Sequence, residues 1–96
     1  MQYNFEWDPN KAKSNTKKHG VSFEHATKVF LDELQLTILD NEHSTVEERW
    51  VTLGKSTNGT LLVVVHTFIE HKDSATIRII SARRATKQEQ CQYEES

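Results

Sequence analysis

The hydrophobic positions of the chain follow a helical period near its start and a strand period over most of its second half. Aromatic residues alternate with polar ones over residues 3–7, which predicts a first strand. Apolar residues spaced three and four apart over residues 23–31 predict an amphipathic helix. Alternating or continuous apolar segments then predict four more strands, at residues 34–40, 48–54, 61–69 and 75–81.

Signals for helix ends and turns complete this outline. Asp8-Pro9 followed by Gly20 predicts a polar surface helix over residues 9–19, and Ser22 precedes the second helix as its cap. Residues 41–46 are polar and predict a turn, and Asn58-Gly59 predicts a tight hairpin because both residue types tolerate positive φ.

The last segment combines a helix signal with a polar tail. Thr86 and Glu89 have the spacing of a capping box, which predicts a short helix, and we expect residues 88–96 to fray. The predicted order is β-α-α-β-β-β-β-α, with an antiparallel meander sheet. This order belongs to the α+β class.

Composition restricts the chain to one small domain, residues 1–96. Its 35% of hydrophobic residues is enough for a thin core, and its one cysteine, Cys91, excludes an internal disulfide. The longest apolar run, residues 61–65, is far too short to span a membrane, and the first residues lack the pattern of a signal peptide. We therefore expect a cytoplasmic protein that does not enter a membrane.

Charge is distributed unevenly although the formal net charge is only −2. Residues 24–54 hold seven acidic and two basic side chains, whereas residues 74–88 hold four basic side chains and no acidic one. The local field, not the total charge, decides whether phosphate is attracted. The pattern predicts one basic surface and one acidic surface.

Two groups of side chains are candidates for chemistry. Asn15, Lys18 and His19 share one helical face, where histidine can transfer protons and lysine favours phosphate. A lysine and a histidine in a last helical turn also simply complement the helix dipole, which is the more common role. The densest basic cluster comprises Arg78, Arg83, Arg84 and Lys87. Arginine suits phosphate oxygens, but such a cluster is equally often a solvated rim.

Other polar residues are weaker candidates. Arg49 lies at the start of a predicted strand, on a face that is otherwise apolar. At such a position, structural pairing with an acidic side chain is somewhat more common than a role in a functional site. Glu89 is a possible acid or base, although the capping box already explains it. His66 lies within an apolar strand, which favours a structural role. No group of residues has the spacing of a metal site, and no cofactor motif is present, so we expect no cofactor.

Taken in order, several of these segments resemble the BrnT family across nearly the whole chain. The most specific parts are the Lys-His-Gly-Val segment at 18–21 and the Ile-Ser-Ala-Arg segment at 80–83. The remaining positions that carry the resemblance are Phe5 to Asp8, Lys11, Asn15, Phe23, Ala26, Val29, Phe30, Asp32, Glu48, Arg49, Gly54, Arg78, Ile79, Arg84, Ala85, Glu89 and Tyr93.

This resemblance implies a RelE-like fold and a bacterial type II toxin that cleaves RNA as a metal-independent ribonuclease. It also implies a BrnA-like antitoxin with a DNA-binding domain, whose complex with the toxin binds its own operator DNA. The positions that match the polar motifs suggest a catalytic set of Lys18, His19, Arg49 and Arg83. Arg78, Arg84 and Lys87 are then expected to bind RNA phosphates.

Two alternatives remain open at this stage. In the first, the chain is a binding module whose basic rim docks RNA or a protein without cutting a bond, and RNA stays intact. In the second, it is a small metal-dependent hydrolase, and a chelator abolishes its activity.

Overall fold

The computed structural model describes residues 2–42 and 47–96 of the chain, and the secondary structure within them is of the predicted α+β class. The elements in order are β1 Gln2–Glu6, α1 Pro9–His19, α2 Phe23–Ala26, a 3₁₀ helix Thr27–Leu31, β2 Leu36–Leu39, β3 Trp50–Lys55, β4 Leu61–His66, β5 Ile69–Glu70, β6 Ser74–Arg84 and α3 Lys87–Glu95.

The strands form one sheet in the order β1-β6-β4-β3-β2, with the short β5 paired to β6. Strands β2, β3, β4 and β6 are antiparallel neighbours, so the predicted meander is confirmed apart from the β5 segment. Strand β1 was not predicted in this place, because it pairs parallel with β6 over a separation of about seventy residues, from Gln2 opposite Ser74 to Glu6 opposite Arg78. No local signal reports such a distant pairing, since both helices of the first half and strands β2 to β5 lie between the two partners in the chain.

Helix α1 has the predicted ends. The Asp8 carboxylate accepts a hydrogen bond from the Asn10 backbone N–H at 2.8 Å, and Pro9 occupies the first helical turn. At the other end Gly20 has φ of 70°, and its N–H donates to the Thr16 carbonyl. This left-handed residue stops the helix directly after His19.

The second predicted helix, residues 23–31, is in fact two shorter pieces. The α2 helix starts at the Ser22 cap as predicted, where the Ser22 hydroxyl accepts from the His25 N–H at 3.1 Å. The chain then tightens into the 3₁₀ helix, which begins with the β-branched Thr27. The apolar stripe is nevertheless buried as its spacing predicted, since Phe23 and Val29 are fully inaccessible to solvent.

The strand predicted over residues 61–69 is also divided. It breaks after His66, whose ring lies 3.0 Å from the Thr67 carbonyl, and β6 carries one extra residue at the same level. Val65 pairs with Ser81 but His66 pairs with Ile79, which makes Ile80 the bulged residue. Strand β6 is longer than the predicted 75–81, so that Arg83 lies within the strand and not beyond its end.

The remaining strand and turn predictions differ mainly at their ends. Strands β2 and β3 are shorter at their first residues than the predicted 34–40 and 48–54. The predicted turn at 41–46 includes residues 43–46, which lie outside the described part of the chain. The hairpin between β3 and β4 is confirmed, although only Gly59 takes positive φ, at 85°. Asn58 instead accepts the Thr60 N–H at 3.0 Å.

The side chains of the sheet project to two faces, and the bulge changes their alternation within β6. The helix face packs against α1, α2 and the 3₁₀ helix, and its buried sheet residues are Leu62, Val64, Ile77, Ile79 and Ala82. The open face bears a smaller cluster of Leu53 and Val63 with Tyr93 from α3, and Leu36, Val51, Leu61 and Ala85 pack beside it. Ile79 and Ala82 share the helix face because the bulged Ile80 lies between them. The bulge therefore changes the face to which each arginine of β6 projects, compared with a regular strand.

The end of the chain carries the predicted short helix. Residues 87–95 form α3, with the predicted capping box between Thr86 and Glu89. Tyr93 anchors the helix, because its ring is buried and its hydroxyl donates to the Asp32 carboxylate at 2.6 Å. Among the helices that the structure describes, none is long and apolar enough to cross a membrane.

Candidate functional site

The end of α1 is fastened to the end of β6 by one buried side chain, Asn15. Strand β1 covers the edge of β6 only as far as Arg78, and beyond it the Asn15 amide takes the place of a neighbouring strand. Its nitrogen donates to the Ala82 carbonyl at 2.9 Å, and its oxygen accepts the Ala82 N–H at 3.1 Å. The same nitrogen donates to the Val21 carbonyl at 2.9 Å, which also fixes the chain after Gly20.

This joint ties the end of α1 to the strand residue before Arg83, although α1 lies on the helix face and the Arg83 side chain projects to the open face with Val63. Lys18 and His19 follow Asn15 by three and four residues on its helical face, and Arg83 follows Ala82 directly. Lys18 is exposed and His19 is half-buried. The sequence grouped Asn15 with Lys18 and His19 as candidates for chemistry, but the structure gives Asn15 a structural role, because its amide is engaged with backbone groups.

Arg83 forms a two-pronged ion pair with Glu89 of α3. The guanidinium Nη1 and Nη2 donate to the two carboxylate oxygens, each at 2.8 Å. These hydrogen bonds, against an opposing effect of burial and with help from the Thr86 backbone N–H, lower the pKa of Glu89 to about 2. Glu89 is therefore ionised at neutral pH and orients Arg83, which argues against the acid or base role that the sequence left open.

The ion pair leaves Arg83 able to bind a second anion. Nη1 also donates to the Arg84 carbonyl at 3.2 Å, so that Nε–H and one Nη2–H have no partner among the described residues. The side chain is 41% exposed. A guanidinium has five donors in a fixed plane, and the unused ones can donate to a phosphate oxygen while Glu89 accepts from the others.

Arg49 and Arg78 lie on the open face, at the opposite end from Arg83. Thr67 donates its N–H to the Arg78 carbonyl at 2.9 Å, and continuation of the β3–β4 register sets Arg49 opposite Thr67. These two arginines therefore share one row of the sheet, two strands apart. Arg83 shares a row with Val63, about 13 Å farther along at roughly 3.3 Å per residue. Arg78 also contacts Glu6 at 3.7 Å, with both side chains about half exposed.

Arg84 projects to the helix face, so the basic cluster predicted from the sequence is divided. Arg84 lies between two grooves of about 360 and 350 Å³, one toward α3 and one toward α1 and α2. The first groove includes Lys55 and Tyr93, and the second includes Ser22 and His25. Lys87 is exposed in the first turn of α3. The four residues 78, 83, 84 and 87 thus do not form one patch, because strand alternation places Arg83 and Arg84 on opposite faces and Arg78 lies five residues away along β6.

His66 has the structural role that its apolar strand favoured. It is buried beneath the helices, and a carbonyl oxygen can only accept, so its Nδ1–H donates to Thr67 while Nε2 accepts from the Thr52 hydroxyl at 2.7 Å. Burial lowers the pKa of His66, which keeps the ring neutral. No group of histidine, cysteine and carboxylate side chains in residues 2–42 and 47–96 is arranged to hold a metal ion.

Two features escaped the sequence reasoning. The capping-box spacing identified Glu89 as a helix cap but not as the partner of Arg83, because the two residues are related by the turn between β6 and α3. Asp32 was named only as part of the family resemblance, with no role, yet it accepts hydrogen bonds from Tyr93 and from the Lys55 N–H at 2.8 Å. Burial opposes ionisation of Asp32, but these bonds and the Leu34 N–H lower its pKa overall.

Comparisons with known proteins identify the family and the fold. The profile of a family described as the ribonuclease toxin BrnT of type II toxin-antitoxin systems matches residues 7–89. The fold is similar to the crystal structure of the Brucella abortus ribonuclease toxin BrnT, with a TM-score of 0.61 and 20% sequence identity. That alignment covers 91% of this chain and 100% of the other. No curated protein sequence matches the chain.

Proposed function

The chain belongs to the BrnT family of ribonuclease toxins of type II toxin-antitoxin systems, and from this premise we propose that it is a metal-independent endoribonuclease. It acts as a single domain in the cytoplasm, where cleavage of RNA stops translation and growth. The catalytic set is Lys18, His19, Arg49 and Arg83, and no cofactor takes part.

The observation that carries the proposal is the joint between Asn15 and Ala82. Cleavage needs a proton carrier and a fixed cation within reach of one phosphate. The joint supports this requirement because it ties the helical turn that carries Lys18 and His19 to the strand residue before Arg83. Glu89 then limits the orientations of the Arg83 side chain, which favours a preorganised phosphate contact.

The proposed reaction uses the RNA's own 2′-hydroxyl as the nucleophile. The 2′-oxygen attacks the adjacent phosphorus, the bond from phosphorus to the 5′-oxygen breaks, and the products are a 2′,3′-cyclic phosphate and a 5′-hydroxyl. The 2′-oxygen loses a proton and the leaving oxygen gains one, so no outside reactant is consumed. His19 transfers a proton in this step, since histidine is the residue of the set that changes charge near neutral pH.

The cations of the set stabilise the negative charge that develops on the phosphate oxygens. Lys18 and Arg83 approach from the joint, and Arg49 approaches along the open face. Each such contact is worth about 3–4 kcal/mol in the transition state. Arg78, Arg84 and Lys87 hold neighbouring phosphates, and the two faces on which Arg78 and Arg84 lie suggest an RNA strand that passes around the end of the sheet.

The partner in this proposal is a BrnA-like antitoxin with a DNA-binding domain. A type II toxin has a protein antitoxin that neutralises it by direct binding. We propose that the antitoxin covers the nuclease site and that the complex binds its own operator DNA through the antitoxin.

Expression in bacteria tests the activity. The wild-type chain should arrest growth and produce new RNA fragments with 5′-hydroxyl ends, whereas the Lys18→Ala, His19→Ala and Arg83→Ala variants should do neither. We expect rate losses of about a hundredfold or more for each. The purified wild-type protein should cleave RNA equally well with excess EDTA.

His71→Ala and Lys72→Ala are matched controls, because they change the same residue types at exposed positions near the other end of β6. Both should retain toxicity. Intact RNA and normal growth with the wild-type chain would instead identify a binding module, and loss of cleavage in EDTA would identify a metal-dependent hydrolase.

A further inference from the structure

Strand β2 forms an outer edge of the described sheet, and its backbone is available for pairing. The Asp40 N–H donates to the Arg49 carbonyl at 2.8 Å, which continues the β2–β3 register and makes Ile38 a hydrogen-bonded partner of Val51. The alternate residues, Thr37 and Leu39, therefore direct their N–H and C=O groups away from the sheet. Within residues 2–42 and 47–96 no strand pairs with these groups. Unpaired edges of this kind can accept a strand from another chain.

The same edge is unusually apolar for an exposed strand. Ile38 is 66% exposed although it lies on the open face beside Val51. It lines a groove of about 140 Å³ that continues over the sheet to α3, and the other lining residues are Leu36, Val51, Leu53, Val63, Glu89 and Gln92. Ile38 thus extends the apolar groove onto an open strand edge, where one added strand can cover both.

The surroundings of this edge hold more acidic than basic side chains, although Arg49 and Lys55 also lie on or next to the neighbouring strand. Four exposed carboxylates lie just before β2 or in the connection from β2 to β3, at Glu33, Glu42, Glu47 and Glu48. Their charge disfavours RNA, because phosphates are repelled. It also disfavours a second copy of this chain, since pairing two β2 edges would bring the same carboxylates together. A basic protein segment is the occupant whose charge is complementary.

We propose that the β2 edge and its apolar groove bind an extended segment of the antitoxin in which apolar and basic residues alternate. The segment adds a strand to β2, its apolar side chains cover Ile38 and enter the groove, and its basic side chains meet the carboxylates. This inference rests on the proposed function, since it specifies how the partner of the toxin is held.

Such a segment also explains how the nuclease is neutralised. The groove ends at Glu89, the residue that orients Arg83. The added strand itself lies beyond β2, which is three strands from β6, but the apolar side chains that fill the groove reach Glu89 and so act on the residue that orients Arg83. Because the RNA-contacting residues that we propose do not include Ile38 or the four carboxylates, binding of the antitoxin and cleavage of RNA can be changed separately.

The experiment compares two exposed isoleucines. The complex with the antitoxin encoded beside the toxin is formed from purified proteins, and its dissociation constant is measured for Ile38→Lys and for Ile69→Lys, which changes a 54% exposed isoleucine of β5 on the other side of the molecule. We expect binding about thirtyfold weaker for Ile38→Lys and unchanged for Ile69→Lys. Both variants should melt as single domains and cleave RNA as the wild type does.

A charge variant gives an independent measurement. Glu42→Gln combined with Glu47→Gln should weaken binding and reduce its dependence on salt, whereas Glu70→Gln combined with Asp73→Asn, also exposed, should change neither. Equal affinity of the wild type and Ile38→Lys would overturn the proposal. So would a free wild-type dimer that Ile38→Lys dissociates, or weaker RNA binding as its main effect.

The cleavage assay on the free toxin keeps this test separate from the proposed function. If the wild-type chain cleaves RNA but the antitoxin binds all variants equally, only the docking surface is wrong. If the wild-type chain does not cleave RNA, the nuclease proposal is wrong. The ratio of the dissociation constants measured for Ile38→Lys and Ile69→Lys still decides whether β2 binds the partner.

Discussion

The two faces of the sheet satisfy their polar groups in different ways. On the helix face, Asn15 and His66 are buried, uncharged and engaged with backbone or hydroxyl groups. On the open face, Arg83 and Glu89 form a charged pair that remains partly exposed. The two apolar clusters also differ in how completely they are buried. The helix-face cluster is the larger one and includes the fully buried Phe23 and Leu62, whereas Ile38 beside the open-face cluster stays exposed.

This difference separates stability from function. Neutral, buried hydrogen bonds fix one arrangement of the backbone, and the loss of a partner leaves an unsatisfied group in a dry environment. A charged pair at the surface contributes little to stability, but it leaves donors free for another anion. We therefore expect loss of the buried polar groups on the helix face to affect folding, and loss of exposed charged groups such as Arg83 to affect RNA cleavage.

The largest expected effect on stability is that of Asn15→Ala. It leaves the Ala82 N–H, the Ala82 carbonyl and the Val21 carbonyl without their partner, at a cost of about 3–5 kcal/mol. Urea unfolding of the purified proteins measures this loss. Asn10→Ala, an exposed change on the same helix, should cost less than about 0.5 kcal/mol. Similar unfolding curves for the two variants would contradict the assigned role of Asn15.

The sequence predicted best those features that are determined by neighbouring residues. Asp8-Pro9, Gly20 and the Thr86–Glu89 capping box each mark a helix end, because the hydrogen bonds that form there join residues within one turn. Pairing of β1 with β6 and the bulge at Ile80 depend on contacts between distant segments, and neither was predicted. The bulge in turn decides which face each arginine occupies, so the site could be proposed as a set of residue types but not as an arrangement.

A smaller effect is expected where His66 is held in the core. Thr52→Val removes the hydroxyl that donates to His66 and accepts from Thr37, and should cost about 1–3 kcal/mol. Because burial lowers the pKa of His66, the unfolded chain binds a proton more readily than the folded one below pH 6.5. Stability should therefore decrease as pH falls from 6.5 toward the lower pKa of the folded state. Urea titrations at several pH values measure this decrease in the free energy of unfolding. The His66→Gln variant should lose the part of the pH dependence that His66 causes.

The contact between α3 and Asp32 should contribute less. Tyr93→Phe keeps the buried ring and removes one hydrogen bond to a carboxylate, which should cost about 1–2 kcal/mol. The bond to Asp32, with some help from burial, raises the pKa of Tyr93 to about 12. The stabilisation is thus fully present below pH 10 and is lost as pH rises through 12. The difference in thermal stability between the wild type and Tyr93→Phe should be constant below pH 10 and should shrink as pH rises from 10 to 12, and a difference that stays constant over that range would argue against the bond.

The most direct test of the division between the faces is a paired measurement on Arg83→Ala. Cleavage of a defined RNA in EDTA and the free energy of unfolding are determined on the same purified protein. We predict that the cleavage rate falls about 10²- to 10³-fold while the unfolding free energy changes by less than about 1 kcal/mol. A wild-type cleavage rate, or a loss of rate that only follows a loss of folded protein, would contradict the account.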